Sequence, residues 1–179
     1  MQDTIDTQIK NLEHNEQLFK EAAKENIDNY TKAVVDLATS YFSINQIEKA
    51  IETTKNSLEL LEPLYRENQD EWAEQYTKTL SSLAAYFKIS DIDKAIEYEE
   101  KSLLIRKKYY AIEASSWGVH YASSLKFLAF IYRSKNEMSK TLQYLQDQYD
   151  VLVNIYGKTS ENAKTALMKI EKLKENLQK

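Results

Sequence analysis

The residue types that most often carry chemistry are few in this chain and badly spaced for it. Its two histidines, His14 and His120, stand 106 positions apart. Neither belongs to an H-E-x-x-H pair, which would set two imidazoles and a general base on one helix face. A zinc site would need distant carboxylates that no spacing supplies. Gly118 and Gly157 stand alone, whereas a phosphate-cradling loop or a nucleophile elbow needs glycines at set offsets. There is no cysteine, so thiolate nucleophiles, disulfides and thiolate metal sites are excluded, and a reducing compartment is the natural setting. We therefore expect no catalytic residue, no metal and no cofactor, and a protein that is not an enzyme.

Two charged clusters invite a functional reading and have a simpler one. Glu97, Glu99 and Glu100 beside Lys101 suit a solvated helix face, with Glu97 and Lys101 paired at i,i+4 for about 0.2–0.5 kcal/mol. Arg106, Lys107 and Lys108 followed by Tyr109 and Tyr110 resemble a basic and aromatic nucleic-acid patch. Cations are also favoured near a helix C-terminus by its dipole. A formal net charge of −4 and a pI near 5.4 oppose a polyanion partner, so no nucleic acid is expected. No stretch approaches ~18 apolar residues, and the N-terminus lacks a basic region followed by an apolar one. The expectation is a cytoplasmic protein with no membrane contact.

The elements that would position any site are read from repeats. Two glycines and one proline in 179 residues leave too little turn chemistry for a sheet protein. Tyr30, Tyr76 and Tyr121 recur at spacings of 46 and 45, each followed seven residues later by Leu-Ala: Leu37-Ala38, Leu83-Ala84 and Leu128-Ala129. Phe19, Tyr65, Tyr110 and Tyr156 recur at 46, 45 and 46. Trp72 and Trp117, 45 apart, join the repeat as packing residues.

Counted from each tyrosine, offsets 0, 4, 7, 8 and 11 are apolar in all three units, which places them on one core-facing helical stripe. We term this helix A. A second amphipathic helix, B, follows with Ile47, Ala50, Ile51 and Leu58, and again with Ile92, Ala95, Ile96 and Leu103. Asn45 and Asn136 in the turns tolerate the left-handed conformation, and Asn45 with Glu48 and Ser90 with Asp93 resemble capping boxes. The middle turn is one residue shorter than the others. Pro63 lies within a B helix and is expected to kink it. The expected organisation is a single array over residues 1–179. It comprises a B half-repeat at 1–22, repeats at about 26–66, 70–111 and 115–156, and a C-terminal A helix at 159–178.

These residues resemble the tetratricopeptide repeat (TPR) family. Its pattern of Leu and a small residue, an aromatic three later and Ala nine further on is met by Leu37-Ala38, Tyr41 and Ala50. Leu83-Ala84, Phe87 and Ala95 follow with the shortened turn, and Leu128-Ala129, Tyr132 and Thr141 complete the set. The period of 45 to 46 exceeds the common ~34 and also falls in the HEAT range; it looks like the long-period repeats of kinesin-light-chain-type arrays. The resemblance implies an all-α fold, a right-handed α-solenoid of about eight antiparallel helices, with a HEAT-like array as the alternative.

The resemblance further implies that A helices line a concave groove, whose candidate residues are Lys32, Asp36, Thr39, Lys78, Ser82, Ser123, Lys126, Phe127, Phe130 and Arg133. The dicarboxylate clamp of chaperone-binding members wants Lys-x-x-x-Asn and Lys-x-x-x-Arg. Lys32, Lys78 and Lys126 are followed at four by Asp36, Ser82 and Phe130, so that partner is not carried over. The function expected is a non-enzymatic protein- or peptide-binding module, an adaptor or scaffold. The alternatives are a sensory or regulatory TPR part of a larger protein, or a helical enzyme or nucleic-acid binder. Residues 1–21 carry net −3 and 158–179 net +3. A monomer with polar end caps is favoured, and head-to-tail self-association is the alternative.

Overall fold

The computed structural model describes residues 2–177 as eight α-helices, with no strand among the described residues. They fall into two compact units, Met1–Ser90 and Asp91–Lys179. The first holds α1 (Gln2–Glu21), α2 (Ala23–Ser43), α3 (Ile47–Glu67) and α4 (Gln69–Ser90). The second holds α5 (Ile92–Ile112), α6 (Ala114–Ser134), α7 (Met138–Tyr156) and α8 (Glu161–Leu177). Within each unit, helices adjacent in sequence pack on one another. In the repeat scheme α2, α4, α6 and α8 are A helices, and α1, α3, α5 and α7 are B helices.

The apolar stripe explains the packing. All fifteen residues at offsets 0, 4, 7, 8 and 11 of α2, α4 and α6 are buried, and Leu80, Leu83, Ala84 and Leu128 are fully so. The aromatic series has a geometric reason. Phe19 of α1 stacks on Tyr30 with centroids 4.7 Å apart, Tyr65 of α3 on Tyr76 at 4.4 Å, and Tyr110 of α5 lies tilted against Tyr121 at 5.2 Å. Each of these three B helices thus seats an aromatic on the tyrosine that begins the apolar stripe of the next A helix, an arrangement that contributes beyond area burial alone. Tyr156 of α7 has Leu167 at the corresponding place in α8 and is half exposed.

Turn chemistry sets where the helices end. Asn45 and Asn136 take φ of 63° and 61°, and the Gln46 and Glu137 N–H groups reach back to the Tyr41 and Tyr132 carbonyls at 2.8 Å. This is the Schellman ending, for which Asn substitutes for glycine. The capping boxes expected from sequence do not form. Gln46, not Asn45, precedes α3 and makes no side-chain cap, because Asn45 is committed to ending α2. In the shorter middle turn Ser90 remains inside α4, and Asp91 caps α5 by accepting from the Lys94 N–H at 3.0 Å. Helix α3 runs unbroken through Pro63, which is exposed.

Gly118 is a packing residue of the α6–α7 contact. A Cβ there would lie 2.6 Å from Ile155 Cγ2, so only a hydrogen fits where α6 meets α7. Gly157, at φ 83° and ψ 153°, ends α7 in a conformation that side chains avoid.

Candidate functional site

In the first unit the exposed side of α2 faces that of α4 across α3. Lys32 and Val35 of α2, with Lys78, Ser82 and Tyr86 of α4, line a cavity of about 250 Å³ floored by Thr54 and Ser57 of α3. The threonines around it are turned inward. Thr54 Oγ1 donates to the Ala50 carbonyl at 2.8 Å, Thr31 to that of Ile27 at 2.8 Å and Thr79 to that of Gln75 at 2.9 Å. Hydroxyls satisfied by their own helix leave methyl groups to the cavity, so it is more apolar than its composition suggests. Lys78 is paired with Glu74 one turn earlier on the same helix. Asp36 and Thr39 are exposed but outside this cavity; the Asp36 carbonyl accepts from Gln8 Nε2 of α1 at 3.3 Å.

In the second unit α6 and α8 flank α7, and two adjoining cavities of about 240 and 350 Å³ lie between them. Ser123 and Lys126 line the first, and Lys126, Phe130 and Arg133 the second. Phe130 is 57% exposed. Phe127 is half-buried and lines neither cavity. The floor is α7, through Gln148 and Leu152 in one and Thr141 and Leu145 in the other. The opposite wall is α8, with Lys169 shared by both cavities and Lys172 in the second. Sequence reasoning placed an A helix at 159–178 but took it for a polar end cap and so missed this wall; α8 lacks the Tyr and Leu-Ala signature of the other A helices. Its lysines, recurring off the buried Ala163, Ala166, Ile170 and Leu173 stripe, were the available signal. Among the described residues no carboxylate lines either cavity.

The acidic and basic clusters of α5 behave differently from the solvated faces expected of them. Glu99 and Arg106 are 2% and 4% exposed. They form an ion pair at 3.6 Å, and Arg106 Nη1 also donates to Ser124 Oγ at 2.7 Å and to the His120 carbonyl at 3.3 Å. Arg106 is thus not a cation decorating a helix end. It lies seven residues from Glu99, two turns along the same buried face, and α6 supplies its other acceptors. Burial pulls the Arg106 guanidinium below its ordinary pKa, and Glu99 opposes that shift. Glu100 is half-buried and accepts from Tyr132 at 3.0 Å and from Tyr144 at 3.4 Å. Burial first pushes both phenols up to about 12, reinforced by the Glu100 hydrogen bond and then its charge at Tyr132, and by the Glu100 charge at Tyr144.

Trp72 is buried edge-on to Phe19, and Trp117 stacks on Tyr109 with centroids 4.8 Å apart. His120 contacts the Trp117 ring edge. Among the described residues no group of three His, Asp or Glu side chains is placed to hold a metal ion, and no helix is long and apolar enough to cross a membrane.

This geometry is that of an all-α, TPR-like helical repeat whose A helices carry exposed faces. No family model and no curated protein matches the chain. Among solved structures, the crystal structure of BtubC (BKLC) from P. vanneervenii is similar, with a TM-score of 0.78 at 18% identity, covering 96% of this chain. This chain spans 65% of that one. At such identity the likeness shows the fold alone, and the fold is a TPR-like helical repeat.

Proposed function

We propose that this chain is a non-enzymatic protein- or peptide-binding module, an adaptor or scaffold, that takes an extended segment along the exposed faces of its A helices. The observation that carries the reading is that α2 and α4 in one unit, and α6 and α8 in the other, each flank open cavities of side-chain size. Helical repeats characteristically bind along such faces. Lys32, Lys78 and Ser82, then Ser123, Lys126, Phe130 and Arg133, are the proposed contacts, with Asp36, Thr39 and Phe127 at their margins. Phe130, an aromatic 57% exposed, has the character of a binding anchor.

The repeat period of 45 to 46 supports assigning the whole chain to one long-period array of the kinesin-light-chain-like kind. A cytoplasmic monomer is the favoured state. The outward residues of α1, including Asp3, Asp6, Lys10, Glu13 and Gln17, are polar and exposed, which suits a solubilising cap. The test is affinity capture from host extract with the parent chain, a Lys32→Glu/Lys78→Glu variant and a Phe130→Ala variant, each checked for unchanged helicity. The reading expects proteins held by the parent to be lost from the groove variants. An identical set retained by all three would overturn it.

A further inference from the structure

We infer that the groove between α6 and α8 takes an extended polypeptide rich in acidic side chains, with Gln148 at its floor accepting a main-chain N–H of that segment. The inference rests on the A-helix faces being peptide-binding, and it adds the ligand's chemistry and makes α8 a binding wall rather than only a cap.

The first observation is charge. Lys126 and Arg133 from α6 and Lys169 and Lys172 from α8 surround the two adjoining cavities, and no Asp or Glu among the described residues lines them. None of the four has an ion-pair partner among the described residues. Elsewhere, exposed Lys78, Lys140 and Lys164 are each matched by a glutamate three or four residues away. Four cations facing one groove repel one another, and an acidic segment laid between α6 and α8 would relieve that repulsion and be steered in by it.

The second observation is independent of charge. Gln148 is 7% exposed, lines the cavity together with Lys126 and Lys169, and its Oε1 has no hydrogen-bond partner among the described residues. A buried amide oxygen left without a donor is costly, and natural structures rarely leave one so. Its terminal torsion is soft, so rotation about it can present the oxygen to the cavity that the residue lines. The oxygen can only accept, so the ligand must bring a donor to that depth. Every non-proline residue of an extended peptide carries a main-chain N–H, whereas the phosphate backbone of a nucleic acid carries none. The two observations together favour a polypeptide with acidic side chains, which carries charge and N–H donors along one extended strand, over a nucleic acid, whose N–H donors sit on its bases away from the phosphates.

The test is fluorescence anisotropy on the full chain at low salt, using a short labelled peptide of alternating Glu and Ala. The same peptide with Lys for Glu and a short single-stranded DNA of equal charge serve as comparisons. The variants are Lys169→Glu/Lys172→Glu, both exposed, and Gln148→Leu, which keeps the volume and places a leucine between Leu145 and Leu152. The acidic peptide should bind and the basic one should not. Charge reversal on α8 should weaken binding by roughly tenfold or more. Gln148→Leu should weaken it several-fold, with no loss of thermal stability and no change in salt dependence, since the contact it removes is uncharged. Absence of acidic-peptide binding overturns the inference, as does DNA bound equally well with no effect of Gln148→Leu. If the peptide fails while host partners are still lost on Lys32→Glu/Lys78→Glu, the inference falls and the binding-module reading stands. If both fail, both fall.

Discussion

The buried Glu99–Arg106 pair makes a quantitative prediction that the repeat itself supplies a control for. Both side chains are nearly inaccessible, and they are 3.6 Å apart. Removing either one strands the other charge out of water, which costs about 3–5 kcal/mol. Forty-six residues on, the same two positions of α7 hold Leu145 and Leu152, both buried. The fold therefore accepts an apolar pair at this register. Replacing a buried ion pair by well-packed apolar residues is often neutral or stabilising by about 1–4 kcal/mol. Against this, the Ser124 hydroxyl, fully buried and bonded to Arg106, would lose that partner at a cost of about 1–3 kcal/mol.

Glu99→Leu and Arg106→Leu should each destabilise by about 3–5 kcal/mol. The double variant should lie within about 2 kcal/mol of the parent, and adding Ser124→Ala should bring it to or above parental stability. Urea denaturation followed by far-ultraviolet circular dichroism measures all four, and the cycle gives the coupling, expected at or above the top of the usual ~0.5–3 kcal/mol range. Single variants as stable as the parent, or a double variant whose loss equals the sum of the singles, would refute the reasoning.

Three further outcomes follow from the packing and the titrations. Leu83→Ala should destabilise by ~2–5 kcal/mol, since Leu83 is fully buried in the α4 stripe; a chain that melts like the parent would contradict the repeat register. Gly118→Ala should cost about 1–3 kcal/mol from the clash with Ile155, offset by at most ~1 kcal/mol of helix propensity, and Ile155→Ala should rescue it. An unrescued loss would mean that another contact sets the α6–α7 approach. Tyr30, Tyr132 and Tyr144, pushed up to about 12, chiefly by burial, keep their protons in the folded state where an unfolded tyrosine near 10 has lost its own. Their contribution is thus full below pH ~10 and is lost as pH rises toward 12. Phenolate absorbance should show a late fraction, and Glu100→Gln should bring the Tyr132 and Tyr144 part of it earlier.

Much of the fold was legible because burial here follows a helical period. The tyrosine and Leu-Ala stripe was found by spacing, and every residue of it is buried. Asn45 shows where such reasoning divides. The same side chain can cap a helix start or accept a left-handed ending, and only the backbone at φ 63° decides between them. Glu99 and Arg106 escaped because charge type was taken to mean solvent, although their positions, four and eleven residues after Ala95, match Thr54 and Leu61 after Ala50 on the buried side of α3. The α6–α8 groove was half legible. Lys126, Phe130 and Arg133 lie off the stripe of an A helix that carries the full repeat signature, whereas Lys169 and Lys172 sit on the C-terminal A helix, whose plain core of Ala163, Ala166 and Ile170 let it be read as an end cap and not as a groove wall. Gln148 resembles any polar residue of an amphipathic helix until its neighbours are known.

Site-specific photo-crosslinking tests the central claim most directly. A photoreactive side chain is placed in turn at Lys32, Lys78 and Ser123 on the A helices, and at Glu59 and Lys107 on the exposed faces of B helices α3 and α5. Each chain is irradiated in host extract. The account predicts polypeptide adducts of the same mass from the A-helix positions, competed away by unmodified chain, and none from Glu59 or Lys107. Adducts that form from the B-helix positions and not from Lys32, Lys78 or Ser123 would contradict it.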